Sequence, residues 1–117
     1  MNKKFIAGEI VYANLGKPPK EVVGHEQGKE RPCIIVNTFP SLQLAVIVPL
    51  TSKTPPRMHY THVFIPSGTA KLTNDSYVLC HQLRTISYDR ISRNLEVLDT
   101  SSFFKILSVL KAVLRLP

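Results

Sequence analysis

The stretch Pro32–Leu50, PCIIVNTFPSLQLAVIVPL, decides the fold. It holds two short apolar runs, Pro32 to Val36 and Leu44 to Leu50, both rich in Val and Ile. Side chains branched at Cβ are stiff and pack well on a pleated surface. Apolar runs of this length between turn residues read as buried strands. Asn37 to Leu42, with Pro40 inside it, reads as their connection. Toward the N-terminus, Gly8 to Leu15 (GEIVYANL) reads as a further strand, with Ile10, Tyr12 and Asn14 on one face. Lys17-Pro18-Pro19-Lys20 breaks it, and a polar loop follows to Arg31. Toward the C-terminus, Thr51 to Tyr60 is a loop containing Pro55-Pro56, Thr61 to Pro66 (THVFIP) a strand, and Ser67-Gly68 a turn. Ser76 to Leu83 (SYVLCHQL) reads as one long strand, which Thr85-Ile86-Ser87 extends beyond a bend.

From Ser101 the period changes. Phe103, Ile106, Leu107, Leu110, Val113 and Leu114 fall on one helical stripe, and Ser101, Lys105, Ser108, Lys111 and Arg115 on the other. Asp99, Thr100 and Ser101 are all suitable N-caps. Five or so strands with a terminal amphipathic helix predict a mainly β fold, a small bent antiparallel barrel with the helix covering an open end or face. The 117 residues suit one domain, spanning 1–117.

Lys and Arg number 15 against 8 acidic residues, a net charge of +7. That balance favours encounter with polyanions, among which nucleic acid, an acidic protein and an anionic membrane surface all qualify. No apolar run approaches the roughly 20 residues of a membrane span, and no long apolar stretch precedes Glu9 as in a signal peptide. A soluble, cytoplasmic protein is expected. Cys33 and Cys80 lack CxxC spacing and sit in apolar runs, as buried free thiols do. No His, Cys, Asp and Glu set has metal-ligand spacing, and no phosphate loop, nucleophile elbow or dinucleotide-binding glycine motif occurs, so no metal or cofactor is expected. Chemistry on this chain would rest on arginine, histidine and hydroxyl groups. Such a set suits phosphoryl transfer on a substrate that brings its own nucleophile, as RNA does with its 2′-OH.

Three segments are candidates. Gly24-His25-Glu26-Gln27-Gly28-Lys29-Glu30-Arg31-Pro32 places donors and acceptors just before a buried strand. Arg31 at the strand entrance is suited to fork onto a phosphate, though a solvated loop with an incidental ion pair explains the composition equally. Thr51-Ser52-Lys53-Thr54 leaves the third strand with hydroxyls that hold phosphate oxygens or merely close a turn. His81-Gln82-Leu83-Arg84-Thr85 ends the long strand, where alternation puts His81, Leu83 and Thr85 on one face and Gln82 and Arg84 on the other. Tyr60, between His59 and His62, is a candidate for stacking on a base.

The blocks GEIVYANL, GHEQGKERPCIIV, VPLTSKT, THV and DSYVLCHQLRTI, in this order from about Gly8 to Ile86, resemble the MazF/PemK family of toxin endoribonucleases. The resemblance implies an SH3-like barrel with a C-terminal helix, working as a homodimer. It also implies cleavage of single-stranded mRNA and neutralisation by a cognate antitoxin. It assigns catalysis to Arg31 and Thr51 and matches the family's Gln and Arg near the end of the long strand to Gln82 and Arg84; His25, Glu26, Gln27, Ser52 and His81 complete the expected substrate-binding set. The position after the cysteine is often acidic in relatives and is His81 here, so no carboxylate role carries over to it. Its imidazole, which titrates near working pH, is an alternative proton carrier. Two other readings use the same barrel without cleavage: a toxin resembling the gyrase poison CcdB, and a plain nucleic-acid-binding module.

Overall fold

A computed structural model describes residues 4–16 and 29–117. Among these residues the strands are β1 (Glu9–Asn14), β2 (Glu30–Phe39), β3 (Leu44–Thr51), β4 (His62–Ile65), β5 (Ser76–Leu79), β6 (Arg84–Ser87) and β7 (Ile91–Val97). They form one seven-stranded sheet in the order β4-β5-β3-β2-β1-β7, with β6 also paired to β3. Every pairing is antiparallel. Among the described residues there is a single α-helix, α1 (Thr100–Val113), which follows β7. The expected mainly β architecture with a C-terminal helix is therefore present. No helix among the described residues is long and apolar enough to cross a membrane.

The unbroken apolar runs of β2 and β3 have a simple cause. Successive strand residues point to opposite faces, and here both faces are buried. Ile34, Val48 and Leu50 enter one core cluster with Ile10, Val63, Ile65, Val78 and, from the helix, Ile106 and Leu110. Cys33, Ile35, Ala45 and Ile47 enter the other, with Val11, Ala13, Leu15, Ile86, Tyr88 and Ile91. In β1 the alternation likewise serves both clusters: Ile10 belongs to one, while Val11 and Ala13 belong to the second.

Two expectations are corrected. Strand β2 continues through Asn37 to Phe39, and the connection to β3 shrinks to a turn at Pro40–Leu42 followed by Gln43 at φ 55°. Gln43 secures that turn by donating its side-chain amide to the Pro40 carbonyl at 2.7 Å. More consequentially, Ser76–Leu83 is not one strand. β5 stops at Leu79, a 3₁₀ turn occupies Cys80–Gln82, and β6 begins at Arg84. β5 pairs with the end of β3, at Leu50 and Thr51, whereas β6 pairs with its start, from Leu44 to Ile47. Val48 and Pro49 separate the two stretches on β3, and Pro49 has no N–H to give to a ladder. β7 was not anticipated. Its pattern is mostly exposed and polar, and it is defined by its pairing with β1.

The helix starts where Asp99 accepts a hydrogen bond from the Ser102 amide at 3.0 Å. Ile106 and Leu110 bury its apolar stripe over the first cluster, while Leu114, at the C-cap, is exposed. Ile106→Ala is expected to cost about 2–5 kcal/mol in urea denaturation, since the cavity cannot fully collapse. Asp99→Ala should destabilise as well, by an amount that depends on pH. The amide bond from Ser102 holds the Asp99 carboxyl below its ordinary range. A depressed carboxylate stabilises above its unfolded pKa and loses that contribution as pH falls through the folded value. The stability gap between the parent protein and Asp99→Ala should therefore close on acidification, and a gap independent of pH would contradict the cap.

Candidate active site

β2 begins at Glu30 and β3 finishes at Thr51, at the same rim of the sheet. The last pair between them is Cys33–Pro49, and Arg31 and Thr51 each lie two residues beyond it on their strands. Each is also held from its other side, Arg31 opposite Ala13 of β1 and Thr51 opposite Tyr77 of β5. Both are half-buried. Ser52, the next residue, is exposed.

Two depressions flank this rim. One, of about 210 Å³, is lined by Tyr12, Glu30, Arg31, Ser52, Asn74 and Ser76 among others. The second, of about 400 Å³, is lined by Thr51, Lys53, Thr54, His62 and His81, with Pro55, Pro56 and Leu79. Thr51 borders one and Ser52 the other, so the end of β3 forms the ridge between them. Arg31 and Thr51 line different depressions, one on each side of that ridge.

Arg84 approaches from β6, its Nη1 donating to the Leu15 carbonyl at 3.4 Å. The Arg31 and Arg84 guanidiniums both favour the thiolate of Cys33, yet burial outweighs them and pushes the thiol up to about 12. The Cys33 thiol donates to the Arg31 carbonyl at 3.5 Å, tying the core to the strand entrance. Gln82 is half-buried at the end of the 3₁₀ turn. Leu15 donates its N–H to the Lys29 carbonyl at 2.8 Å, and Lys29 donates to that of Gly16 at 2.7 Å. These bonds hold Leu15 and Gly16 against Lys29 beside Arg84. His25, Glu26 and Gln27 lie outside the described residues.

His81 is placed by the 3₁₀ turn, not by strand alternation, which corrects its expected sharing of a face with Leu83 and Thr85. The turn brings it to Thr61, whose Oγ1 lies 3.0 Å from His81 Nδ1. Its ring meets that of His62 edge-on, with centroids 5.5 Å apart. His62 in turn is 6.0 Å from the His59 ring, and its Nδ1 accepts the His59 amide N–H at 3.0 Å. Burial, then the neighbouring His62 and His59, lower the His81 pKa from its ordinary value. Sequence reasoning singled out Tyr60, which is 68% exposed, and passed over the histidines flanking it. The signal was the HYTH string, which closes a turn through a His62 N–H bond to the His59 carbonyl. Among the described residues no three His, Cys, Asp or Glu side chains group as metal ligands would.

The family of PemK-like, MazF-like toxins of type II toxin–antitoxin systems matches residues 6–114. This chain belongs to that family. The endoribonuclease EndoA of Bacillus subtilis (strain 168) is 29% identical over 114 residues, covering 93% of both chains. In fold the chain is similar to MazF from Deinococcus radiodurans, with a TM-score of 0.75 at 22% identity over 95% of this chain and 96% of that one. It is also similar to a mycobacterial endoribonuclease solved in complex with its cognate antitoxin, with a TM-score of 0.74 at 21% identity over 97% and 98% of the two chains. The sheet and terminal helix are thus a MazF-like fold.

Burial of the two thiols has a direct readout. Cys80 is also pushed up by burial, to about 11, as Cys33 is to about 12. At pH 8 thiolate fractions are then on the order of one part in a thousand and one part in ten thousand. The native protein should resist an uncharged alkylating reagent, and both thiols should react once it is unfolded in urea. Rapid native modification of Cys33 would mean that the β2 entrance is open.

Proposed function

We propose that this protein is a metal-independent endoribonuclease toxin that cleaves single-stranded mRNA at preferred sequences and is neutralised by a cognate antitoxin. The observation that carries the reading is that the chain is of the MazF-like toxin family and carries Arg31 and Thr51 each two residues beyond the Cys33–Pro49 pair, at one end of the sheet. The name of its Bacillus subtilis relative, an endoribonuclease, supports the activity. The complex of the mycobacterial relative with its antitoxin supports the partner.

The chemistry follows from the groups available. The ribose 2′-OH attacks the adjacent phosphorus, a new P–O2′ bond forms, the P–O5′ bond breaks, and a 2′,3′-cyclic phosphate results. Negative charge builds on the phosphoryl oxygens, and Arg31 clamps them with its planar fork. Thr51 holds a second oxygen through its hydroxyl or amide. Ser52, Gln82 and Arg84 bind the flanking backbone, with His25, Glu26 and Gln27 contributing from the loop before β2. Unpaired bases are read by the Lys17–Lys29 and Lys53–Tyr60 loops through their edges and by stacking. The +7 charge concentrates RNA at this surface. Charge stabilisation comes from the arginine, so no metal is required. A homodimer is the working assembly in this reading.

Purified protein incubated with a long RNA in EDTA should give discrete fragments ending in 2′,3′-cyclic phosphate, and a substrate with 2′-deoxyribose at the cleavage position should stay intact. Arg31→Ala should lower kcat by about 10²–10³-fold, the usual loss for one transition-state donor. Arg31→Lys should not restore it, because the bidentate geometry is lost. Intact RNA with the parent protein, or near-parental cleavage by Arg31→Ala, would overturn the reading.

A further inference from the structure

The histidine-lined depression holds groups that the arginine clamp leaves unused. A guanidinium does not deprotonate near neutral pH, so the 2′-OH proton needs another acceptor. The 400 Å³ hollow beside Thr51 contains two imidazoles whose hydrogen bonds set them to different tasks. His62 Nδ1 accepts a backbone N–H from His59 at 3.0 Å. A nitrogen that accepts a hydrogen bond carries no proton, so the neutral ring holds its hydrogen on Nε2. His62 thus presents an Nε2–H donor. His81 is bonded through Nδ1 to the nearly buried Thr61 hydroxyl, and a proton there leaves Nε2 as the acceptor.

We propose that the RNA 2′-OH is activated in this depression, where His81 Nε2 takes its proton while the His62 Nε2–H holds a phosphoryl oxygen of the same scissile group. This deepens the endoribonuclease reading and rests on it. The O2′–H bond breaks, its proton passes to His81, and the O2′ pair forms the bond to phosphorus. The P–O5′ pair stays with the departing oxygen, which is protonated by water. The imidazolium of His81 then returns its proton to solvent, so nothing is gained or lost overall. His62 transfers no proton. Thr61 is a positioning residue for the His81 ring.

The surroundings favour a neutral His81 in the resting state. Among the described residues, the titratable and charged groups about it are His62 and His59 from the β4 side and Lys53 across the hollow. The neighbouring Cys80 stays protonated, Arg84 follows in β6, and the cations of the adjoining α1 are Lys105 and Lys111. None of these is anionic. With the His81 pKa lowered in the free protein, kcat/KM should be flat at neutral pH and fall on acidification below the ordinary imidazole range.

The test compares glutamine and alanine at both positions, with binding measured on an uncleavable 2′-deoxy substrate. Glutamine carries an N–H donor but takes no proton. His62→Ala should lower kcat by about 10²–10³-fold, and His62→Gln should recover to within about tenfold of the parent. His81→Ala and His81→Gln should both lose about 10²–10⁴-fold, and both should lose the acidic limb of the pH profile. Dissociation constants for the deoxy substrate separate any loss of binding from the loss of kcat. An acidic limb that persists in His81→Gln, or a His62→Gln rate no better than that of His62→Ala, overturns the proposal. Absence of cleavage by the parent protein overturns the endoribonuclease reading instead, so the two failures are distinct.

Discussion

Burial of β2 and β3 on both faces is the constraint from which the rest follows. Each contributes alternate side chains to two separate clusters, Ile34, Val48 and Leu50 to one, Cys33, Ile35 and Ile47 to the other. A slip of one residue would exchange every one of these side chains between clusters of different shape. The register is therefore rigid up to the Cys33–Pro49 pair. Arg31 stands two residues from buried Cys33, and Thr51 one residue from buried Leu50. The polar pair at the rim is held in step by apolar packing beneath it, which gives a flexible arginine a fixed base.

A second consequence arises at the far edge of β3. That edge is divided between β5 and β6, and the chain passes from one to the other through Cys80–Gln82. Cys80 anchors the turn in the core and donates its amide to the Thr61 carbonyl at 3.1 Å. With Cys80 turned inward, His81 faces out beside Thr61 and His62. The histidine hollow and the arginine rim are thus two products of one strand, lying on either side of its last residues.

The residues reveal these features unevenly. The β2 and β3 runs could not be mistaken, because two-sided burial removes polar residues from a strand. The terminal helix was equally plain from its stripe and its Asp99 cap. The break after Leu79 was hidden, since SYVLCHQLRTI keeps enough apolar character to read as continuous extended chain. Its cause lies on another strand, at Val48–Pro49. β7 was hidden for the opposite reason: ISRNLEV has a strand's pairing without a strand's composition, as edge strands often do. At the site, Arg31 and Thr51 were singled out by resemblance rather than by pattern, for a strand entrance with an arginine is common. The His59–His62–His81 group was not legible, because a turn and a strand break bring together residues whose spacing carries no period.

Electrostatics explains why charge and proton transfer separate at this surface. Two guanidiniums bear on Cys33, yet desolvation wins and the thiol stays protonated, so the cationic rim makes no nucleophile there. What it can do is attract an anion that arrives with its own nucleophile. Any proton acceptor placed among such cations must be uncharged when empty and weakly basic, or it would already be protonated or paired. Carboxylates would neutralise the arginines that bind phosphate. A histidine whose pKa is lowered by burial and by neighbouring imidazoles, as at His81, avoids both problems.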